Sequence, residues 1–153
     1  MAFLLYFENM EECMYTLKTG SGFDSAHFLK GYNGKCSNIH GHHWRVEIVV
    51  GKIDLNTDEQ TRGMVVDFSD LKKDLRELTD DLDHSLIIEK GSLKDSTLFA
   101  LRDEGFRVVE IDVRPTAENF AKYFYELMSE KGYKVLEATV YETRENCASY
   151  RAD

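Results

Sequence analysis

The residues best suited to chemistry lie in one short run, Cys36-Ser37-Asn38-Ile39-His40-Gly41-His42. On an extended strand the side chains at i and i+2 leave the same face, so His40 and His42 can reach one ion. His27, in Phe23-Asp24-Ser25-Ala26-His27, follows the first predicted strand and supplies a third imidazole if the first two strands pair. Three neutral nitrogen ligands with one position left open describe a catalytic zinc rather than a structural one. Such an ion polarises a substrate oxygen and stabilises charge that develops on it. Taken alone, His-x-His is weak, because exposed strands carry the pattern by chance. A single histidine such as His27 near a strand end is also commonly just a satisfied polar residue. His43 takes the opposite face and is excluded as a ligand.

Other groups have two readings each. Cys36 is either a small buried hydrophobe, the usual state of a free cysteine, or a thiolate base activated by a nearby zinc ion and Lys35. Cys13 and Cys147 have no comparable neighbours and are read as inert. Asp83-His84 follows a predicted helix. The histidine there either complements the helix dipole or, supported by the carboxylate, relays protons. Glu142 falls on the apolar face of the last predicted strand, where an unpaired charge is costly. Its partner is either Arg144 or another basic residue, or a ligand presenting two adjacent N–H donors.

These groups need a frame. Loose alternation predicts strands at Tyr15–Phe23 and His40–Ile53, separated by a loop holding Gly31, Asn33 and Gly34. In the second strand Trp44, Val46, Ile48 and Val50 share the parity of His40 and His42. Met64–Phe68 reads as a short third strand, followed by Ser69 as N-cap and a helix over Asp70–Leu82 marked by Leu71, Leu75, Leu78 and Leu82. A short helix is expected near Thr97–Arg102 and a strand over Phe106–Val113. Pro115-Thr116 opens a second long helix, Ala117–Lys131, ended by Gly132. Val135–Thr143 is the last predicted strand. The order implies an α+β domain with a mostly antiparallel sheet and two helices packed on one face. Such a sheet leaves edges and an open face, which favours oligomerisation.

The chain has 153 residues and a net charge of −9, from 19 Lys+Arg and 28 Asp+Glu. One domain over residues 14–153 accounts for this length, with residues 1–13 as an N-terminal extension. The acidic balance argues against nucleic-acid binding, which depends on basic side chains neutralising phosphates. No run of apolar residues reaches a membrane-span length, and no secretion signal is evident, so a cytoplasmic protein with free thiols is expected.

Six ordered stretches give the chain a family resemblance. They are Phe23-Asp-Ser-Ala-His27, Cys36-x-x-x-His40-Gly-His42, Gly63-Met-Val-Val-Asp-Phe68, Leu82-Asp-His84, Pro115-Thr-Ala-Glu-Asn119 and Val140-Tyr-Glu-Thr143. Together they resemble the 6-pyruvoyl-tetrahydropterin synthase family over about Tyr15 to Tyr150. The resemblance implies the T-fold, a mostly antiparallel four-stranded sheet with two helices on one face that oligomerises into a barrel, as trimers pairing into hexamers. It implies Zn2+ on His27, His40 and His42, and Cys36 as the proton-transferring thiol with Asp83 and His84 as its relay. It also implies Glu142 as anchor for the guanidine-like edge of a pterin, with Thr116 and Glu118 lining the pterin pocket.

Within the family, three residues between Cys36 and His40 resemble the bacterial 6-carboxytetrahydropterin synthases of the queuosine pathway. That branch converts 7,8-dihydroneopterin triphosphate to 6-carboxy-5,6,7,8-tetrahydropterin, acetaldehyde and triphosphate. The alternatives are the triphosphate-eliminating 6-pyruvoyl branch, a non-catalytic zinc-stabilised binding protein of the same fold, and a zinc hydrolase acting on a purine or pterin ring. His43-Trp44 departs from the family pattern, and Ile88 to Arg107 shows no motif and reads as a variable insert. An acidic chain taking a triphosphate needs local positive charge, for which Lys18, Lys30, Lys35, Arg45 and Arg107 are the candidates.

Overall fold

The computed structural model describes residues 14–151. Two long strands, β1 (Tyr15–His27) and β2 (His40–Lys52), form an antiparallel hairpin at the centre of the sheet. Helix α1 (Phe68–Asp80) follows, then β3 (Ser85–Glu89), α2 (Asp95–Asp103) and β4 (Val108–Ile111). Helix α3 (Ala117–Glu130), β5 (Val135–Tyr141) and β6 (Cys147–Arg151) complete the chain. Among the described residues the sheet has six strands in the order β4-β3-β1-β2-β5-β6. The pairs β1–β2, β2–β5 and β5–β6 are antiparallel, whereas β1–β3 and β3–β4 are parallel.

The α+β class, the largely antiparallel sheet and the two long helices agree with the sequence reading, and the short helix expected near Thr97–Arg102 is present as α2. The strand pattern corrects it: among the described residues the sheet has six strands rather than four. The expected strand Met64–Phe68 is absent. This stretch is a loop that places Val65 in the core and begins α1 at Phe68. The N-cap of α1 is Asp67, whose carboxylate accepts from the Ser69 N–H at 2.7 Å, so Ser69 is a recipient of the cap rather than the cap itself. Strand β1 runs four residues beyond the expected Phe23, because Ser25 and His27 pair with His42 and His40. The expected extension over residues 1–13 lies outside the described residues.

Helices α1 and α3 cover one face of the sheet. Leu71, Leu75 and Leu78 of α1 and Phe120, Phe124 and Met128 of α3 are buried at helical spacing. They meet Phe23, Trp44, Val46, Ile48, Val50, Ala138 and Val140 from the strands. The three histidines continue the same face of β1 and β2, so they stand where the apolar core ends. Trp44 marks that boundary, with its ring packed edge-on to both His27 and His42. No helix among the described residues is long and apolar enough to cross a membrane.

Candidate functional site

Pairing of β1 with β2 sets His27 directly across from His40 and Ser25 across from His42. The three imidazole centroids are 4.6, 5.2 and 5.0 Å apart. The His27 Nδ1–H donates to the Pro115 carbonyl at 2.7 Å, and the His40 Nδ1–H donates to the Asn38 carbonyl at 2.7 Å. A carbonyl only accepts, so each neutral ring carries its proton on Nδ1 and directs a bare Nε2 inward. Those two Nε2 atoms lie 3.2 Å apart. The His42 Nε2 is buried without a hydrogen-bond partner. It is 3.2 Å from Glu142 Oε1, close in distance but not aligned as a hydrogen bond. Bare nitrogens converging in this way repel one another unless a cation or proton lies among them.

The electrostatics favour a cation. Burial pushes the His27 imidazole below its ordinary value, against the opposing influence of the Pro115 carbonyl. Burial likewise lowers His42, partly offset by the Glu142 carboxylate. Both rings are therefore held neutral, the form that binds a metal. The carbonyls on Nδ1 supply the outer hydrogen bonds that orient metal-binding histidines. On these grounds His27, His40 and His42 fit a late divalent ion, and their ligating nitrogens all lie within 4.8 Å of one another.

A second cluster stands nearby. The His84 Nδ1–H donates to Asp83 Oδ2 at 2.7 Å, so the adjacent side chains do face each other. The other carboxylate oxygen, Oδ1, accepts from the Asp24 backbone N–H at 2.7 Å, and the His84 N–H donates to the Asp24 carbonyl at 2.7 Å. This two-way clasp holds His84 at φ 50, a left-handed conformation unusual for a residue with a Cβ. The Asp83 carboxyl is held below its usual value by the Asp24 N–H and by His84, and Asp83 in turn raises His84. Asp24 Oδ1 also accepts from His43 Nδ1–H at 2.7 Å. Gly22 permits this, because a Cβ there would sit 2.9 Å from the Trp44 carbonyl and 3.1 Å from the His43 ring.

His42, Asp24 and His84 contribute to the wall of one cavity of about 660 Å³, otherwise lined mainly by apolar groups including Ile39, Leu86 and Phe106. Cys36, Glu142, Thr116 and Glu118 lie outside that wall. Cys36 is half-buried in a single 3-10 turn, Lys35–Ser37, and its carbonyl accepts from the Leu29 N–H. Glu142 follows β5 in the tight turn to β6, facing His42 rather than Arg144. Thr116 is the N-cap of α3, accepting from the Asn119 N–H, and Glu118 is exposed in the first helical turn. Pro115, one residue earlier, ties this helix start to the histidine cluster through His27.

The five basic candidates for a phosphate entrance are placed differently from one another. Lys18 and Arg45 both pair with Glu47, and Arg45 also lies over the Tyr141 ring. The Arg107 guanidinium donates to backbone carbonyls of Asp80, Asp81 and Asp83. Lys30 and Lys35 are exposed on the β1–β2 loop. Sequence reasoning passed over Asp24, the Pro115 carbonyl and this action of Arg107. Each works through backbone contacts between distant segments, for which local spacing carries no signal.

The family model described as 6-pyruvoyl tetrahydropterin synthase matches residues 16–153. A 6-carboxy-5,6,7,8-tetrahydropterin synthase of Haemophilus influenzae is 31% identical over 114 residues, 73% of this chain and 80% of the relative. The enzyme of the same name from Rickettsia bellii is 40% identical, covering 65% of this chain and 69% of the relative. That from Synechocystis is 31% identical, covering 76% and 98%. Among solved structures, an uncharacterised protein from Wolinella succinogenes superposes with a TM-score of 0.76 at 20% identity, over 92% of this chain and 99% of its own. The Caenorhabditis elegans 6-pyruvoyl tetrahydropterin synthase gives 0.65 at 23% identity, over 92% and 97%. These two likenesses establish the fold, and the match over nearly all the described residues establishes more: the chain belongs to the 6-pyruvoyl tetrahydropterin synthase family.

Proposed function

We propose that the chain is a zinc-dependent 6-carboxy-5,6,7,8-tetrahydropterin synthase. It would convert 7,8-dihydroneopterin triphosphate to 6-carboxy-5,6,7,8-tetrahydropterin, acetaldehyde and triphosphate, on the route to queuosine. The observation that carries the reading is the convergence of three imidazoles beside a separate aspartate-supported histidine. The names of relatives at 31–40% identity support the branch.

His27, His40 and His42 would hold the ion. Zinc bound there supplies an electrophile for a substrate oxygen beside the carbons that exchange protons. Rearranging and cleaving the pterin side chain moves protons at adjacent carbons, which needs two acid/base groups. His84, oriented by Asp83, is one of them. Its exposed ring (80%) is open to a ligand, and its bond to the Asp83 carboxylate favours the charged form. The Cys36 thiol is the other. Glu142 accepts the two adjacent N–H groups of the pterin edge, with Thr116 and Glu118 flanking the ring.

Cys36 and His84 share no cavity wall within one chain. A homo-oligomer of trimers pairing into a hexamer would complete each site between subunits, and the outermost strands β4 and β6 offer edges for that pairing. The test is to incubate zinc-loaded protein with 7,8-dihydroneopterin triphosphate, beside Cys36→Ala, and identify products by mass spectrometry. The expected products are 6-carboxytetrahydropterin, acetaldehyde and triphosphate from the wild type, and none from the variant. A 6-pyruvoyl product would keep the family and reject the branch. Zinc binding without turnover would reject the lyase.

A further inference from the structure

We propose that Arg107 is a positioning residue for the Asp83–His84 pair, supplied by the segment between β3 and α3 that carries no sequence motif. The inference rests on the reading of His84 as a proton carrier. It begins with an electrostatic problem at the end of α1. The last carbonyls of a helix lack intrahelical partners and carry partial negative charge, which cationic side chains normally answer. Helix α1 has no basic residue in its last turn, and the residues that end and follow it include Asp80, Asp81 and Asp83. Three carboxylates therefore crowd a terminus that already repels them.

Arg107 answers from a distant part of the chain. Its Nη1 donates to the carbonyls of Asp80 at 3.3 Å and Asp83 at 2.9 Å, and its Nη2 to the carbonyl of Asp81 at 2.5 Å. The planar guanidinium presents its donors in a fixed fork, so one side chain can bridge three carbonyls on both sides of the helix end. Its own backbone is fixed in turn, since the Leu86 N–H donates to the Arg107 carbonyl at 3.0 Å. The Asp83–His84 peptide is thus gripped from two directions. Asp24 clasps the Asp83 carboxylate and the His84 N–H, while Arg107 holds the Asp83 carbonyl. Between them His84 keeps φ 50, a conformation the surrounding contacts must impose. Arg107 also lies on the wall of the cavity that His84 faces, so a direct contact with the substrate triphosphate is the competing role.

Kinetics of the zinc-loaded full chain separate the two roles. Arg107→Ala and Arg107→Lys would be compared with wild type, each also in a His84→Ala background, after circular dichroism verifies folding. A positioning role lowers kcat about tenfold with KM within about twofold, since misplacing a catalytic group costs rate rather than affinity. The lysine variant recovers little, because one ammonium cannot span the three carbonyls. In the His84→Ala background Arg107→Ala has no further effect. A raised KM with kcat unchanged, or an equal fall in kcat without His84, overturns the proposal. Nitrogen NMR of the His84 ring supplies a readout independent of turnover. At a pH alkaline enough to leave the ring neutral, wild type should show one tautomer protonated on Nδ1, and Arg107→Ala an average of the two. If the wild type fails to process the pterin, the functional reading falls, and an unchanged His84 ring in Arg107→Ala overturns the positioning role separately.

Discussion

His27 and His40 face each other across the central hairpin with Nε2 atoms 3.2 Å apart and both Nδ1–H groups committed to backbone carbonyls. Neither ring can relieve the opposition by changing tautomer without losing a 2.7 Å hydrogen bond. The arrangement is therefore preorganised for a cation and costs stability when none is present. This predicts that metal removal lowers the melting temperature, and that zinc restores it in proportion to RT ln(1 + [L]/Kd). A melting temperature indifferent to chelator and zinc would contradict the reading.

The metal-free protein should lose stability on mild acidification. His27 and His42 are depressed below the ordinary value of 6.5 by burial. The unfolded chain then binds more protons than the folded one between the depressed values and 6.5. Stability from this source is complete above about pH 6.5 and falls as pH drops through that window. His84 is raised and has the opposite sign, but it is fully exposed and contributes little. The urea midpoint of chelated protein should be lower at pH 5.5 than at 7.5, and a His27→Gln variant should show a smaller difference. Equal midpoints at both pH values would count against neutral, buried histidines.

Asp83→Asn removes the carboxylate whose hydrogen bond and charge raise His84. NMR titration of the ring should show the His84 pKa moving back down towards 6.5, with zinc content unchanged. A pKa that stays raised would assign the effect to Asp24 instead.

Glu142→Gln should retain zinc, since the three imidazoles are intact. It replaces a charged acceptor with an amide that cannot take two N–H bonds equally. A hydrogen bond to a charged group contributes about 1.5–3 kcal/mol, which corresponds to roughly a ten- to hundredfold rise in KM for the pterin substrate. An unchanged KM would remove Glu142 from pterin recognition.

Phe124 of α3 is completely buried against Phe23 and Tyr123. Truncation to alanine should cost about 3–5 kcal/mol by denaturant unfolding, as large-to-small core changes do. Zinc stoichiometry should survive below the new melting point, because the histidines are held by β1, β2 and the Pro115 carbonyl. A cost below about 1 kcal/mol would mean that α3 is not packed as described.

The parts of the fold legible in the sequence are those with a strong period. Leu71, Leu75 and Leu78 marked α1, Phe120, Phe124 and Met128 marked α3, and alternation around Trp44 to Val50 marked β2. Strand β3 escaped because Ser85–Glu89 is a short apolar run that no period distinguishes from a helix fragment. Strand β6 escaped because Cys147–Arg151 is mostly exposed and defined only by pairing with β5. Met64–Phe68 misled for the converse reason: it is apolar because Val65 plugs the core, not because it pairs. Among the proposed ligands, His40 and His42 were visible from i, i+2 spacing, and His27 from its place near a strand end. The Asp24 clasp and the Arg107 bridge are contacts across 59 and 24 residues respectively, beyond what any local pattern encodes.

The most direct test of the proposed metal centre is anomalous diffraction at the zinc edge from crystals of chelated protein soaked in zinc. Among the described residues two clusters could take an ion, His27-His40-His42 and Asp24-Asp83-His84. A zinc centre on the three histidines gives one strong peak about 2.0–2.1 Å from a ring nitrogen of each of His27, His40 and His42. A peak only at Asp24, Asp83 and His84, or none at either cluster, would contradict it.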